Sequence, residues 1–112
     1  MADTCIFCDI VAKKSPADIF HEDDDVVVFS SVKPLAPVHL LVVPRNHHPN
    51  LDSLSDQSLF TRMISVAKEV GEKQSPKKGY RLGVNSAKQA EIGHLHLHVF
   101  GGLDKEQEIG RM

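Results

Sequence analysis

The sequence predicts an α+β domain: an antiparallel sheet of about five strands, one short N-terminal helix and one long helix. Three observations carry this. The apolar pattern reads helix, three strands, long helix, two strands, without the strand–helix alternation a doubly wound parallel sheet needs. One long segment carries an apolar stripe at helical spacing. The last strand alternates two kinds of residue with period two.

The elements follow in order. Cys5 to Lys13 is short and mixed, with Ile6, Phe7 and Ile10 on one helical face. Ala17 to His21 and Val26 to Ser30 read as strands joined by an acidic turn at residues 22–25. A Pro-punctuated loop at 33–37 leads into Val38 to Val43, almost wholly apolar and thus a buried strand. Ser53 to Gln74 is the long helix, with Ser53 or Ser55 as its cap, Asp56 in its first turn, and Leu59, Met63, Ile64, Ala67 and Val70 as its core stripe. Tyr80 to Asn85 is a strand, Ser86 to Gly93 a polar loop, and His94 to Phe100 the final strand, closed by Gly101-Gly102. Residues 1–4 and the polar stretch from Leu103 read as mobile tails, or as segments that dock on a partner.

At 112 residues the chain is one domain, 1–112, whose modest core would gain from a metal or a second subunit. Hydrophobic residues at 41% and a net charge of −2 with no basic run fit a globular protein and argue against a nucleic-acid duplex as partner. The opening residues lack a basic start and an apolar run, and no stretch is long enough to span a bilayer. The expectation is a cytoplasmic protein without a membrane partner; a eukaryotic source would leave the nucleus open too. In a reducing compartment the pair Cys5-x-x-Cys8 suggests metal or redox chemistry rather than a structural disulfide, although two thiols are also simply small buried residues.

The run His94-Leu95-His96-Leu97-His98-Val99 places three imidazoles on one strand face, about 7 Å apart, and three aliphatic side chains on the other. Imidazole binds metals, moves protons or attacks as a nucleophile. His96, flanked by its own kind, is the natural nucleophile, and His98 is placed to hydrogen-bond a substrate oxygen. A metal site using all three rings is the rival reading.

With the apolar residue that follows, this run resembles the signature of the histidine-triad nucleotide-binding family. Cys5-Ile6-Phe7-Cys8-Asp9-Ile10 resembles the family's opening, Pro37-Val38-His39-Leu40-Leu41-Val42-Val43-Pro44 its central strand, and Gly79-Tyr80-Arg81-Leu82 through Asn85 its fourth. Gly101-Gly102 and the short length are similar to the Hint branch, the purine nucleoside phosphoramidases.

The resemblance implies a histidine-triad fold and hydrolysis of AMP–amine conjugates through a nucleotidyl-histidine on His96. His98 and His39 would complete the catalytic cluster and Asn85 would contact phosphate. Ile6, Phe7, Ile10, Phe29 and Val32 would form the slot for the base, although core packing alone also suits each of them. Ser31 stands where many members bind ribose through an aspartate, and Glu91 lies near the leaving group in a loop shorter than usual. Cys5, Cys8, His47 and His94 would hold a structural zinc ion, with no catalytic cofactor; His48 competes with His47 as ligand. A purine nucleotide of the AMP or GMP kind is the implied ligand, and a homodimer through the long helix and a sheet edge the implied assembly. Dinucleoside polyphosphate hydrolysis or nucleotidyl transfer, and a nucleotide-binding adaptor with vestigial catalysis, are the alternatives.

Overall fold

A computed structural model describes residues 5–112. Its elements are α1 (Ile6–Val11), β1 (Ile19–Glu22), β2 (Val26–Ser30), β3 (Val38–Pro44), α2 (Gln57–Gln74), β4 (Tyr80–Val84) and β5 (Leu97–Gly101). The strands form one antiparallel sheet in the order β1-β2-β3-β5-β4. Among the described residues, no helix is long and apolar enough to cross a membrane.

The central strands are buried on both faces, which is why they read as continuous apolar runs. On one face Val26, Val28, Leu40, Val42, Leu97 and Val99 pack with Met63, Val66, Ala67 and Val70 of α2. Side chains of this kind each contribute roughly 1.5–3 kcal/mol when fully buried. On the other, Val27, Phe29, Leu41 and Val43 pack with Phe7 and Ile10 of α1. Ser75, just after α2, ties the helix end to the sheet: its hydroxyl donates to the Gly79 carbonyl and accepts from the Gly102 N–H.

The boundaries differ most from expectation at the starts of α2 and β5. The cap of α2 is Asp56, not Ser53 or Ser55: its carboxylate accepts from the Leu59 N–H at 3.0 Å and the Ser58 hydroxyl at 2.7 Å. Ser53 is engaged in a local turn, its N–H donating to the Asn50 side chain. The last strand begins at Leu97, not His94. Val42 pairs with Leu97, and two residues further along β3, where the register would set Leu95, stands Pro44, which has no N–H to give. His94 to His96 is held instead by the following loop, with the Leu95 N–H donating to the His48 carbonyl at 2.7 Å. The alternation survives this change: Leu95, Leu97 and Val99 join the α2-facing core.

Residues 103–112, read from sequence as a mobile or partner-docking tail, lie against their own chain. The Arg81 guanidinium donates to the carbonyls of Asp104, Lys105 and Gln107. Lys78 pairs with Asp104 at 3.1 Å. Gly83 leaves room for the end of the segment, since a β-carbon there would stand 2.6 Å from Met112 Sδ.

Candidate active site and metal centre

On the α1 side of the sheet, β3 and β5 bring His39 and His98 to the floor of a cavity of about 430 Å³, and His96 joins them from just before β5. Ile6, Phe7, Ile10 and Phe29 line one side, with the Phe7 and Phe29 rings edge to face at 5.3 Å. Val32 sits at the rim, 90% exposed, so it borders the cavity without being packed. Ser31 lines the cavity too, its hydroxyl accepting from the Lys33 N–H at 3.2 Å. Glu91 stands at the mouth.

Asn85 alone among the expected catalytic and substrate residues is not part of the lining. Its Nδ2 donates to the Met112 carbonyl at 3.0 Å, and Met112 itself lines the cavity. Among the lining residues that sequence reasoning missed are Lys33, Leu35, Ile92, Arg111 and Met112. The apolar character of Leu35 and Ile92 was the one available signal; nothing local in the sequence announces a returning tail.

The hydrogen bonds fix the proton positions. The Leu35 N–H donates to His39 Nδ1 at 3.0 Å, so a neutral His39 carries its proton on Nε2. That Nε2–H donates to His98 Nδ1 at 2.9 Å, which leaves the His98 proton on Nε2. His98 Nε2 is buried and has no hydrogen-bond partner among the described residues, a donor left unmet on a side chain that lines the cavity. A buried donor left unmet costs about 1–3 kcal/mol, so an acceptor arriving in the cavity gains from it. The His96 Nδ1–H donates to the His94 carbonyl at 2.7 Å, which leaves its Nε2 with a free lone pair.

Burial also keeps these rings neutral. It lowers the His96 pKa below the ordinary imidazole value, opposed by the bond to the His94 carbonyl. Burial, then the charge of His96 and of His39, lowers His98 to about 4. His39 is lowered by burial and then by His96.

Cys5, Cys8, His47 and His94 form a second cluster, with their ligand atoms all within 4.8 Å of one another. The sulfur-to-nitrogen distances are 3.3 Å for Cys5–His94, 3.3 Å for Cys8–His47 and 3.5 Å for Cys8–His94. Tetrahedral zinc with bonds of about 2.3 Å to sulfur and about 2.0 Å to nitrogen separates such donors by roughly 3.5 Å. The residues therefore fit the ion in number, type and spacing. His94 Nε2–H donates to the Pro44 carbonyl at 3.1 Å, which turns its Nδ1 lone pair toward the sulfurs, an outer contact typical of metal-bound imidazole. Burial and the neighbouring Cys5 push the Cys8 thiol up to about 11, a penalty that a bound cation relieves. His48 is not among the ligand atoms of this cluster; its carbonyl holds Leu95.

An antiparallel sheet that sets alternating histidines beside a Cys2His2 cluster and an apolar slot defines a narrow class of protein. Residues 4–110 match the family model described as scavenger mRNA decapping enzyme C-terminal binding. The chain belongs to the histidine-triad family. It is 35% identical over 107 residues to a purine nucleoside phosphoramidase of Escherichia coli K12, covering 91% of this chain and 90% of that one. It is 36% identical over 100 residues to a bifunctional adenosine 5'-phosphosulfate phosphorylase/adenylylsulfatase of Arabidopsis thaliana, covering 86% of this chain and 68% of that one. Among solved structures, a histidine-triad family hydrolase of Clostridium thermocellum superposes with a TM-score of 0.87 at 32% identity, covering 97% of this chain and 99% of that one.

Proposed function

We propose that the protein hydrolyses the P–N bond of purine nucleoside phosphoramidates through a nucleotidyl intermediate on His96. The observation that carries this is the His96 ring, with its proton committed to the His94 carbonyl and its Nε2 lone pair free in the cavity. The relationship to the E. coli phosphoramidase supports the substrate class.

The base lies in the apolar slot of Ile6, Phe7, Ile10 and Phe29, and the α-phosphate meets the histidines. His96 Nε2 attacks the α-phosphorus; the N–P bond to His96 forms as the bond to the amine breaks, and the amine takes up a proton. The ring becomes cationic on bonding, which strengthens its Nδ1–H bond to the His94 carbonyl. The His98 Nε2–H supplies a hydrogen bond to the charge gathering on the phosphoryl oxygens. Water then attacks phosphorus, the bond to His96 breaks, and AMP and a proton are released. The covalent intermediate divides one hard displacement into two easier ones, and no step calls for a catalytic cofactor.

The Cys5–Cys8–His47–His94 centre holds a structural zinc ion that staples α1 to the loop after β3 and to the residues before β5. Metal analysis of protein purified without chelator is expected to find about one zinc per chain. A homodimer through α2 and the free edge of β4, where Leu82 is exposed, completes the reading, and sedimentation tests it. In the reducing cytoplasm the two thiols stay available to the metal.

The decisive experiment follows AMP release from adenosine 5'-phosphoramidate and the intact mass of acid-quenched protein. Wild type should turn over and carry one adenylyl group, while His96→Ala should do neither and still bind AMP. Wild-type turnover in His96→Ala overturns the assignment. A second reading, hydrolysis of a dinucleoside polyphosphate, has one observation behind it: Lys33 and Arg111 both line the cavity and suit further phosphates. Turnover of the two substrates side by side separates the readings.

A further inference from the structure

We propose that occupancy of the Cys5–Cys8–His47–His94 centre sets the affinity of the adjoining cavity for its nucleotide, and that the nucleotide tightens the centre in return. The proposal rests on the reading above, in which zinc takes one site and a purine nucleotide the other.

Helix α1 serves both sites at once. Cys5 caps it, with Sγ accepting from the Cys8 N–H at 3.3 Å, and Cys8 follows within its first turn. Ile6, Phe7 and Ile10 of the same six-residue helix line the cavity. So short a helix has little stability of its own and depends on what anchors it. Its anchors are the Phe7 and Ile10 side chains against the sheet and the two sulfurs in the cluster. A ligand that orders α1 for one site has therefore done part of the ordering the other site needs.

A second path runs through His94. Its ring, fully buried, points Nδ1 at the sulfurs and Nε2–H at Pro44, while its carbonyl accepts the Nδ1–H of His96 at 2.7 Å. Whatever fixes the His94 ring also fixes the group that sets the His96 tautomer. The Phe7 ring packs nearly perpendicular to both imidazoles, 5.8 Å from His94 and 5.1 Å from His96. Phe7 thus touches a metal ligand, the nucleophile and the base slot.

Linkage between two binding sites is reciprocal and typically spans about 5- to 150-fold. AMP, which leaves nothing to cleave, is the probe. Titration calorimetry on zinc-loaded and chelator-treated protein is expected to give an AMP Kd about tenfold weaker without the metal. Saturating AMP should tighten zinc, measured against a chelating dye, by the same factor. Phe7→Leu should keep zinc and bring that factor toward one. Equal AMP affinities in the two forms overturn the linkage.

If circular dichroism shows that the stripped chain does not fold, cobalt(II)-loaded protein carries the test: AMP must shift the ligand-field bands, and unchanged bands overturn it. Failure of the zinc-loaded protein to bind AMP overturns the nucleotide reading and the linkage with it. Failure to take up zinc overturns the metal reading in the same way. Binding of both with no mutual effect overturns the linkage alone.

Discussion

His39 Nε2 lies 2.9 Å from His98 Nδ1, and the proton between them belongs to His39. The Leu35 N–H, 3.0 Å from His39 Nδ1, settles this by occupying the other ring nitrogen. His39 therefore acts on the cavity through His98, as a positioning residue that makes His98 a donor. In His39→Ala, His98 is free to carry its proton on Nδ1 and to present a lone pair to the phosphoryl oxygens. The expected result is a fall in kcat on the order of 10²-fold, the size of losing one transition-state donor, with AMP affinity changed far less. His39→Gln, whose amide can donate to His98 Nδ1, should recover part of the loss. A fall in AMP affinity that matches the fall in kcat would contradict the positioning role.

The same burial predicts the acid behaviour. With His98 lowered to about 4 by burial and by its histidine neighbours, and His96 and His39 lowered too, the working neutral rings persist below the ordinary imidazole value of 6.5. The kcat/KM profile, which reports the free enzyme, is expected to break below pH 6.5, in more acid solution than an unperturbed imidazole would set. Stability moves in the same direction. The unfolded chain protonates His98 near 6.5 and the folded chain only near 4, so the unfolded state binds more protons between those values. The contribution is full above about pH 6.5 and is lost as pH falls toward and through 4. Urea midpoints across that range check this, and His98→Ala should flatten the slope.

The sequence made the two-faced histidine strand legible, because alternation belongs to the residues themselves: Leu95, Leu97 and Val99 do face α2. What it hid was decided by partners far along the chain. The strand begins at Leu97 because Pro44 closes the ladder on β3. The long helix begins at Gln57 because Asp56 outcompetes two nearby serines, an outcome set by local geometry that residue type alone leaves open. The tautomer of His98 depends on a backbone N–H at Leu35, which no side-chain pattern encodes. The spacing of Cys5 and Cys8 shows half of a metal centre; His47 and His94 joined it through family resemblance, and folding brings all four together.

Asp23 is the staple of the β1–β2 hairpin. Its carboxylate accepts from the N–H groups of Asp25 and Val26 at 2.8 and 2.9 Å, from the His21 ring at 2.6 Å and from Arg62 on α2 at 2.6 Å. Burial pushes its pKa up, but these donors prevail and hold the carboxyl well below the usual carboxylate range. Asp23→Ala leaves two turn N–H groups and two side-chain donors without their partner. The expected cost is about 2 kcal/mol in urea unfolding, the scale of lost charge-assisted hydrogen bonds. The cavity wall from β2 reaches only as far as Phe29, at the far end of the strand, so AMP affinity in the folded variant should hold.

Arg81 clasps the returning segment, and the segment in turn holds Asn85. Three carbonyls, of Asp104, Lys105 and Gln107, converge on one guanidinium, and the chain then runs on to Met112, whose carbonyl takes the Asn85 amide. A phosphate that engages Asn85 must compete with that contact. Arg81→Ala removes the clasp without removing a lining side chain, and frees the segment that brings Arg111 and Met112 to the cavity wall. Hydrogen exchange in residues 103–112 is expected to quicken. The contact given up is worth about 1 kcal/mol net, so AMP should bind roughly fivefold tighter at most. Faster exchange with weaker AMP binding would mean that Met112 serves the nucleotide as a wall and does not compete with it for Asn85.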